Sequence, residues 1–119
     1  MDSSRELILD HMKHPRNYGA LADATHIQNE VNPACGDEMK VYVKISGDVI
    51  KDISYEGQGC SFSMAGGSLL TEHVKGKRVK EVSGMSEDDM LALFRGPVSP
   101  ARLKCALLAY GTLRKILSE

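Results

Sequence analysis

Three observations on this sequence predict an α+β fold, a three-stranded mainly antiparallel sheet with flanking helices. First, Met39, Val41, Val43 and Ile45 alternate strictly with Lys40, Tyr42, Lys44 and Ser46. A period of two is the pattern of a strand that buries one face. Second, Gly47-Asp48 is a turn signal, and Val49 to Glu56 returns behind it with Ile50, Ile53 and Tyr55 as its apolar members. Third, Leu103, Leu107, Tyr110, Leu113 and Leu117 recur at helical spacing, in a stripe widened by Ala106, Ala109 and Ile116.

The other elements follow from local signals. Ser3-x-x-Glu6 has the form of a capping box, with Leu7, Ile8, His11 and Met12 behind it at helical spacing, and Pro15 stops that helix. His11 and His14 read as packed or solvated residues of a helix face rather than as ligands. Ile27 and Val31 share a parity within 25–31, which suggests a weak strand. Residues 61–74 can run as a helix although Gly66 and Gly67 cost roughly 1 kcal/mol each relative to Ala. Small residues there imply a close approach of backbone or of a partner, tight packing being the plainer reason. Gly76 to Lys80 is a basic loop that, with the Gly66-Gly67 surface, is a candidate for partner docking. Ser86 is placed to cap a short acidic-headed helix carrying Met90, Leu91, Leu93 and Phe94, which Gly96-Pro97 ends. Ser99 as N-cap and Pro100 at the first position open the last helix.

A chain of 119 residues is expected to be one domain, 1–119. A charged fraction of 26% and a hydrophobic fraction of 42% belong to a globular protein, and a net charge of −1 gives no reason to expect nucleic acid or an anionic membrane as partner. No apolar run approaches the roughly 18 residues of a membrane span. The first residues lack the basic and apolar regions of a secretory signal, so a cytoplasmic setting with reduced thiols is expected. Gly57-x-Gly59 invites a nucleotide-loop reading, but Phe62 stands where a third glycine is needed, and the preceding hairpin argues against a parallel unit.

The three cysteines are Cys35, Cys60 and Cys105. An odd number cannot complete a disulfide framework, and the spacings are too wide for the paired C-x-x-C of a zinc finger. Cys35 lies in the turn Asn32-Pro33-Ala34-Cys35-Gly36-Asp37, two residues before a carboxylate. Cys60 lies at a strand-to-helix junction, where free amides favour negative charge. Cys105 lies near the start of the last helix, off the centre of its stripe, between Arg102 and Lys104. Two readings are open on these residues: a shared metal centre, or three buried thiols acting as small hydrophobes.

Four segments together resemble the IscU/SufU/NifU N-terminal family of iron–sulfur cluster scaffold proteins: Asn-Pro-Ala-Cys-Gly-Asp at 32–37, Glu-Gly-Gln-Gly-Cys-Ser-Phe-Ser-Met-Ala at 56–65, Thr-Glu-His-Val-Lys-Gly-Lys at 71–77, and Pro-Ala-Arg-Leu-Lys-Cys-Ala-Leu-Leu-Ala at 100–109. The likeness runs from the first helix to the last. It implies that Cys35, Asp37, Cys60 and Cys105 are the cluster or metal ligands. It also implies a cysteine desulfurase and apo iron–sulfur acceptor proteins as partners, with an iron donor or chaperone alongside, and a monomer or a cluster-bridged homodimer. Lys104 stands where IscU-type members have a His, and Arg102-Leu103-Lys104-Cys105 is similar to SufU-type members. The insertion usual in SufU-type members and the Leu-Pro-Pro-Val-Lys chaperone motif of IscU are both missing; Gly96-Pro97-Val98-Ser99-Pro100-Ala101 occupies the latter region.

The donor types fit that resemblance. Iron–sulfur clusters take soft thiolates. Three are available, and a harder carboxylate at Asp37 would make an exchangeable corner, as a scaffold that releases its cargo requires. Arg102 and Lys104 would offset part of the negative charge of such an assembly. The expected function is therefore scaffolding of an iron–sulfur cluster, of the 2Fe-2S kind, rather than enzymatic turnover. The competing readings are a zinc-bound sulfur acceptor for a cysteine desulfurase, held by the same four residues, and an interaction module with inert cysteines.

Overall fold

The computed structural model describes residues 3–33 and 36–118, with the side chain of Ser3 excepted. Cys35, and the cap assigned to Ser3, therefore lie outside what is described. The elements run α1 (Ser3–Lys13), β1 (His26–Asn32), β2 (Asp37–Ser46), β3 (Val49–Gln58), α2 (Ser61–Val74), α3 (Val79–Ser83), α4 (Glu87–Ala92), a single 3-10 turn (Pro100–Arg102), α5 (Leu103–Ala106) and α6 (Leu108–Leu117).

The three strands lie in the order β1-β2-β3, both pairs antiparallel. The strict alternation in β2 does what it predicts. Met39, Val41 and Val43 are fully buried beneath the helices, as are Ile50 and Ile53 on β3. Tyr55 joins them, its hydroxyl donating to the Met64 carbonyl of α2 at 3.1 Å. Phe94 and Leu70 complete the same core with Met90 and Leu113.

The opposite face of the sheet is partly covered as well. Asn17 and Gly19 pair with the outer edge of β3 at Tyr55, whereas Thr25 donates to Val43 on the far side of the sheet. The chain between them must cross the outer face, where Asp23 pairs with Lys44 at 2.6 Å. Tyr42 and Ser54 are buried on that face as a result. Beyond the crossing, Ile27 and Val31 on β1 remain half exposed, at 53% and 51%. The apolar parity of β1 thus points away from the core, and Gln28 and Glu30 share the side facing the helices.

The helices differ from expectation in three places. The short helix α3 carries no strong periodic signal and was not anticipated; Val82 buries its one contact face. The last helix is broken at Leu107, and Ser99 caps nothing with its side chain. The expected stripe does face the core: Ala106, Ala109, Tyr110, Leu113 and Ile116 are buried, with Cys105 beside them, while Leu103, Leu107 and Leu117 are half buried at its margin. Small residues let this segment approach α2 closely: a Cβ on Gly66 would stand 3.3 Å from the Ala106 carbonyl. Gly67 is tighter still, since a Cβ there would stand 2.6 Å from the Tyr55 ring. Both glycines are buried, so the candidate docking surface at Gly66-Gly67 is instead an internal packing face. The basic segment is exposed but not wholly a loop, because Val79 and Lys80 open α3.

Among the described residues, no helix is long and apolar enough to cross a membrane.

Candidate metal centre

The site assembles where three elements end. Asp37 is the first residue of β2, opposite Asn32 at the last position of β1. The turn before it needs Gly36, whose φ of +76° is strained for a side-chain-bearing residue. Glu38 pairs with Gln58, which brings the end of β3 alongside the start of β2. The chain then passes directly over the Asp37 carboxyl group. A Cβ on Gly59 would lie 2.6 Å from Asp37 Cγ, so this link accepts only glycine without a shift of the acid. Cys60 follows as the N-cap of α2, in extended conformation. Cys105 arrives from α5 and is 6% exposed; Asp37 is 5% exposed.

One ligand atom each from Asp37, Cys60 and Cys105 lies within 4.8 Å of the others. Donors on one tetrahedral zinc stand roughly 3–4 Å apart, given metal–ligand bonds of about 2.0–2.3 Å. A buried carboxylate, a buried thiol and a half-buried thiol are a donor set that fits zinc or an iron–sulfur cluster. Cys35, the remaining sulfur of the expected set, lies outside the described residues.

A residue that the sequence reading passed over holds the site in shape. Ser63 is fully buried, and its hydroxyl donates to Asp37 Oδ2 at 2.6 Å. The same oxygen accepts from the Cys60 backbone amide at 3.3 Å. Ser63 Oγ also lies 3.8 Å from Cys60 Sγ and 3.5 Å from the Cys105 carbonyl, at the centre of the cluster. Burial works to push the Asp37 carboxyl up. The Ser63 hydroxyl, the Cys60 amide and the two thiols outweigh it, and the group lies below the ordinary carboxylate range. Asp37 is thus a carboxylate, ready as a donor, before any cation arrives. The signal for Ser63 was present three residues after Cys60, one helical turn into α2, where an N-terminal side chain can reach what the cap reaches.

The charged neighbours take different places. Arg102 lies over the Phe62 ring at 5.7 Å. Lys104 is exposed and borders a shallow groove with Asn32, Pro33 and Leu107. His11 is buried and hydrogen-bonded away from the cluster, at 2.6 Å from Ser68 Oγ, and His14 is exposed. Neither histidine joins the site.

A helix-backed antiparallel sheet that gathers two thiols and a carboxylate at one end is a domain with a candidate site for a metal or cluster. The chain matches the NifU-like N-terminal domain family over residues 3–119, and it belongs to that family. It is 37% identical to the zinc-dependent sulfurtransferase SufU of Bacillus subtilis, over 93% of this chain and 86% of the relative. The iron–sulfur cluster assembly scaffold protein IscU of Thermotoga maritima is 34% identical over 96% of this chain and 92% of its own length. Among solved structures, a putative iron–sulfur cluster assembly scaffold protein for the SUF system from Fervidobacterium islandicum superposes with a TM-score of 0.80. It is 31% identical and covers 94% of both chains.

Proposed function

We propose that this chain is a scaffold on which an iron–sulfur cluster is built from iron and desulfurase-derived sulfur and then passed to apo-proteins. The observation that carries this reading is the convergence of Asp37, Cys60 and Cys105 within 4.8 Å in a chain of this family. The cluster, of the 2Fe-2S kind, is cargo. Cys60, Cys105 and, from its motif, Cys35 supply the soft donors; Asp37 supplies the hard one.

Two hydrogen bonds support a particular role for the carboxylate in this reading. Asp37 Oδ2 is already engaged by Ser63 and by the Cys60 amide. Those hydrogen bonds fix the carboxylate's direction and compete for its electron density. A carboxylate bond to iron is weaker than a thiolate bond, and here the acid has a protein partner to fall back on when it lets go. Asp37 is the exchangeable corner. Lys104, at the exposed rim, screens the negative charge of the loaded site without ligating it. Nothing in this reading turns over a substrate, so the protein is a carrier rather than an enzyme. Its partners are a cysteine desulfurase and apo acceptor proteins.

A second reading has its own support. The SufU relative is named as zinc-dependent, Lys104 stands directly before Cys105, and Cys60 is more accessible than Cys105. With zinc in the same site, Cys60 would leave the metal as a thiolate and attack the outer sulfur of a desulfurase cysteine persulfide. A new sulfur–sulfur bond forms on Cys60, the old one breaks, and the desulfurase cysteine departs as a thiolate. The 128 aligned positions shared with SufU exceed the 93% of this 119-residue chain that they cover, so that relative carries residues with no counterpart here. The IscU relative of Thermotoga maritima shows the same excess, 130 aligned positions against 96% of this chain, so length does not separate the two readings.

Anaerobic purification followed by metal and sulfide analysis separates the readings. Iron with equimolar sulfide and visible charge-transfer bands, transferable to an apo-ferredoxin, is the expected result. Zinc alone, with persulfide on Cys60 after desulfurase treatment, would establish the second reading instead.

A further inference from the structure

The outer edge of β1 carries features that a monomer has no use for. Among the described strands only β2 pairs with β1, so no strand covers its outer edge. Its seven-residue register against β2 runs without a bulge. The strand, His-Ile-Gln-Asn-Glu-Val-Asn, contains no proline and no lysine, and its one inward-pointing charge, Glu30, is offset by Lys115 of α6. Natural edge strands are usually blunted by one of these devices, since an open row of amides and carbonyls invites another strand. Here the exposed face of the edge also carries Ile27 and Val31, both more than half exposed.

The order of residues says what fits. Ile27 and Val31 stand two places either side of Asn29. We propose that β1 pairs with β1 of a second copy, antiparallel about a two-fold axis at Asn29, to make a continuous six-stranded sheet. In that register Ile27 faces the second copy's Val31, and Val31 faces the second copy's Ile27. Four apolar side chains close over one another on the outer face. On the inner face Glu30 faces the second copy's Gln28, so no like charges stand directly opposite. Glu30 is also paired with Lys115 of its own α6. A groove of about 360 Å³ between Val31 and Leu107-Leu108 receives the second copy's inner-facing side chains.

This interface is distinct from a dimer that shares a metal. Asn32, at the metal-site end of β1, is three residues from the axis, roughly 10 Å at about 3.3 Å per residue. The two sites therefore point to opposite ends of the joined sheet, and association needs no cation. One strand pair buries less than the roughly 1,200–2,000 Å² of a stable interface, so the dimer is concentration-dependent rather than permanent.

Sedimentation velocity of the full chain over a concentration series, with zinc and with chelator, tests this. Reversible dimerisation that survives chelation is expected. Ile27→Lys and Val31→Glu should each weaken it at least tenfold. The double variant Ile27→Lys/Val31→Glu should associate more tightly than either single one, because each introduced lysine then faces an introduced glutamate across the axis. The two positions lie too far apart along one strand to pair within a chain. Thermal melts of the variants verify that these exposed substitutions leave the fold intact. A chain monomeric at every concentration overturns the proposal. So does a dimer that chelation dissolves, or a double variant no tighter than the singles. Loss of a different protein partner in the edge variants, with the chain itself monomeric, would assign the edge to that partner and equally overturn a second copy.

Discussion

Two serines on α2, Ser63 and Ser68, are both completely buried, and they do opposite things. Ser63 reaches an ionised carboxylate flanked by two thiols. Ser68 accepts from the Arg16 backbone amide at 2.8 Å and meets His11 Nδ1 at 2.6 Å. The second cluster is closed. A single hydroxyl satisfies the Arg16 amide and a neutral imidazole, which stitches the chain after α1 onto α2. The first cluster is open, because its carboxylate and sulfurs have lone pairs left to give. A buried polar group therefore does not by itself mark a functional site. What marks one is a set of partners with donor capacity remaining.

That contrast can be broken most severely at the ligands. Cys60→Ser should lower zinc affinity, measured by chelator competition, by more than the roughly 100-fold that outer-shell changes reach. Its thermal melt without metal should move little, since Cys60 is only half buried.

The two tight glycines should then divide stability from binding. Gly67→Ala drives a methyl against the Tyr55 ring and should cost about 1–3 kcal/mol in denaturant unfolding, with metal affinity nearly kept. Gly59→Ala displaces the Asp37 carboxyl group instead, so chelator competition should report the larger loss.

The serines themselves come next. Ser63→Ala should weaken metal binding by about 10–100-fold, the range for groups that orient a ligand, and should speed metal exchange. Ser68→Ala leaves His11 and the Arg16 amide unsatisfied and should cost about 1–3 kcal/mol of stability with metal affinity unchanged. Equal metal affinities in the two variants would remove the distinction drawn between the clusters.

The smallest effect is in pH. Burial, and then the Arg16 charge, hold His11 below its ordinary value; Glu72 and Asp10 pull the other way, and Arg95 adds the smallest push down. The unfolded chain therefore binds more protons than the folded one just below about pH 6.5. Stability from this group is complete above that pH and is lost as the pH falls. Melts of the metal-free chain at pH 7 and pH 5.5 should show the drop, and His11→Gln should flatten it.

Much of this was legible in one dimension. The alternation of β2, the turn at Gly47-Asp48 and the return of β3 follow from period-two patterning, and α2 ends where the sequence predicts. Ser86 caps α4 as its position predicts, and the structure adds the reciprocal bond from the Ser86 amide to the Asp89 side chain. The apolar stripe of the last helix faces the core as its period predicts, but the break at Leu107 and the burial of Cys105 beside the stripe depend on the close approach that Ala106 and Gly66 permit. The aliphatic pair on β1 was read as a strand signal, correctly, but its outward direction depended on where the chain crosses the sheet.

The sequence by itself determined the kinds of atoms available for chemistry, since thiols, a carboxylate and glycines beside them are covalent facts, and it determined the elements whose hydrophobic period is local. Only the tertiary structure decided which of those atoms share a space. Asp37 meets Cys60 and Cys105 through strand register and helix packing, and Ser63 acquires its part from that meeting. Local patterns encode direction along one element, whereas proximity between distant residues is a property of how all the elements pack at once.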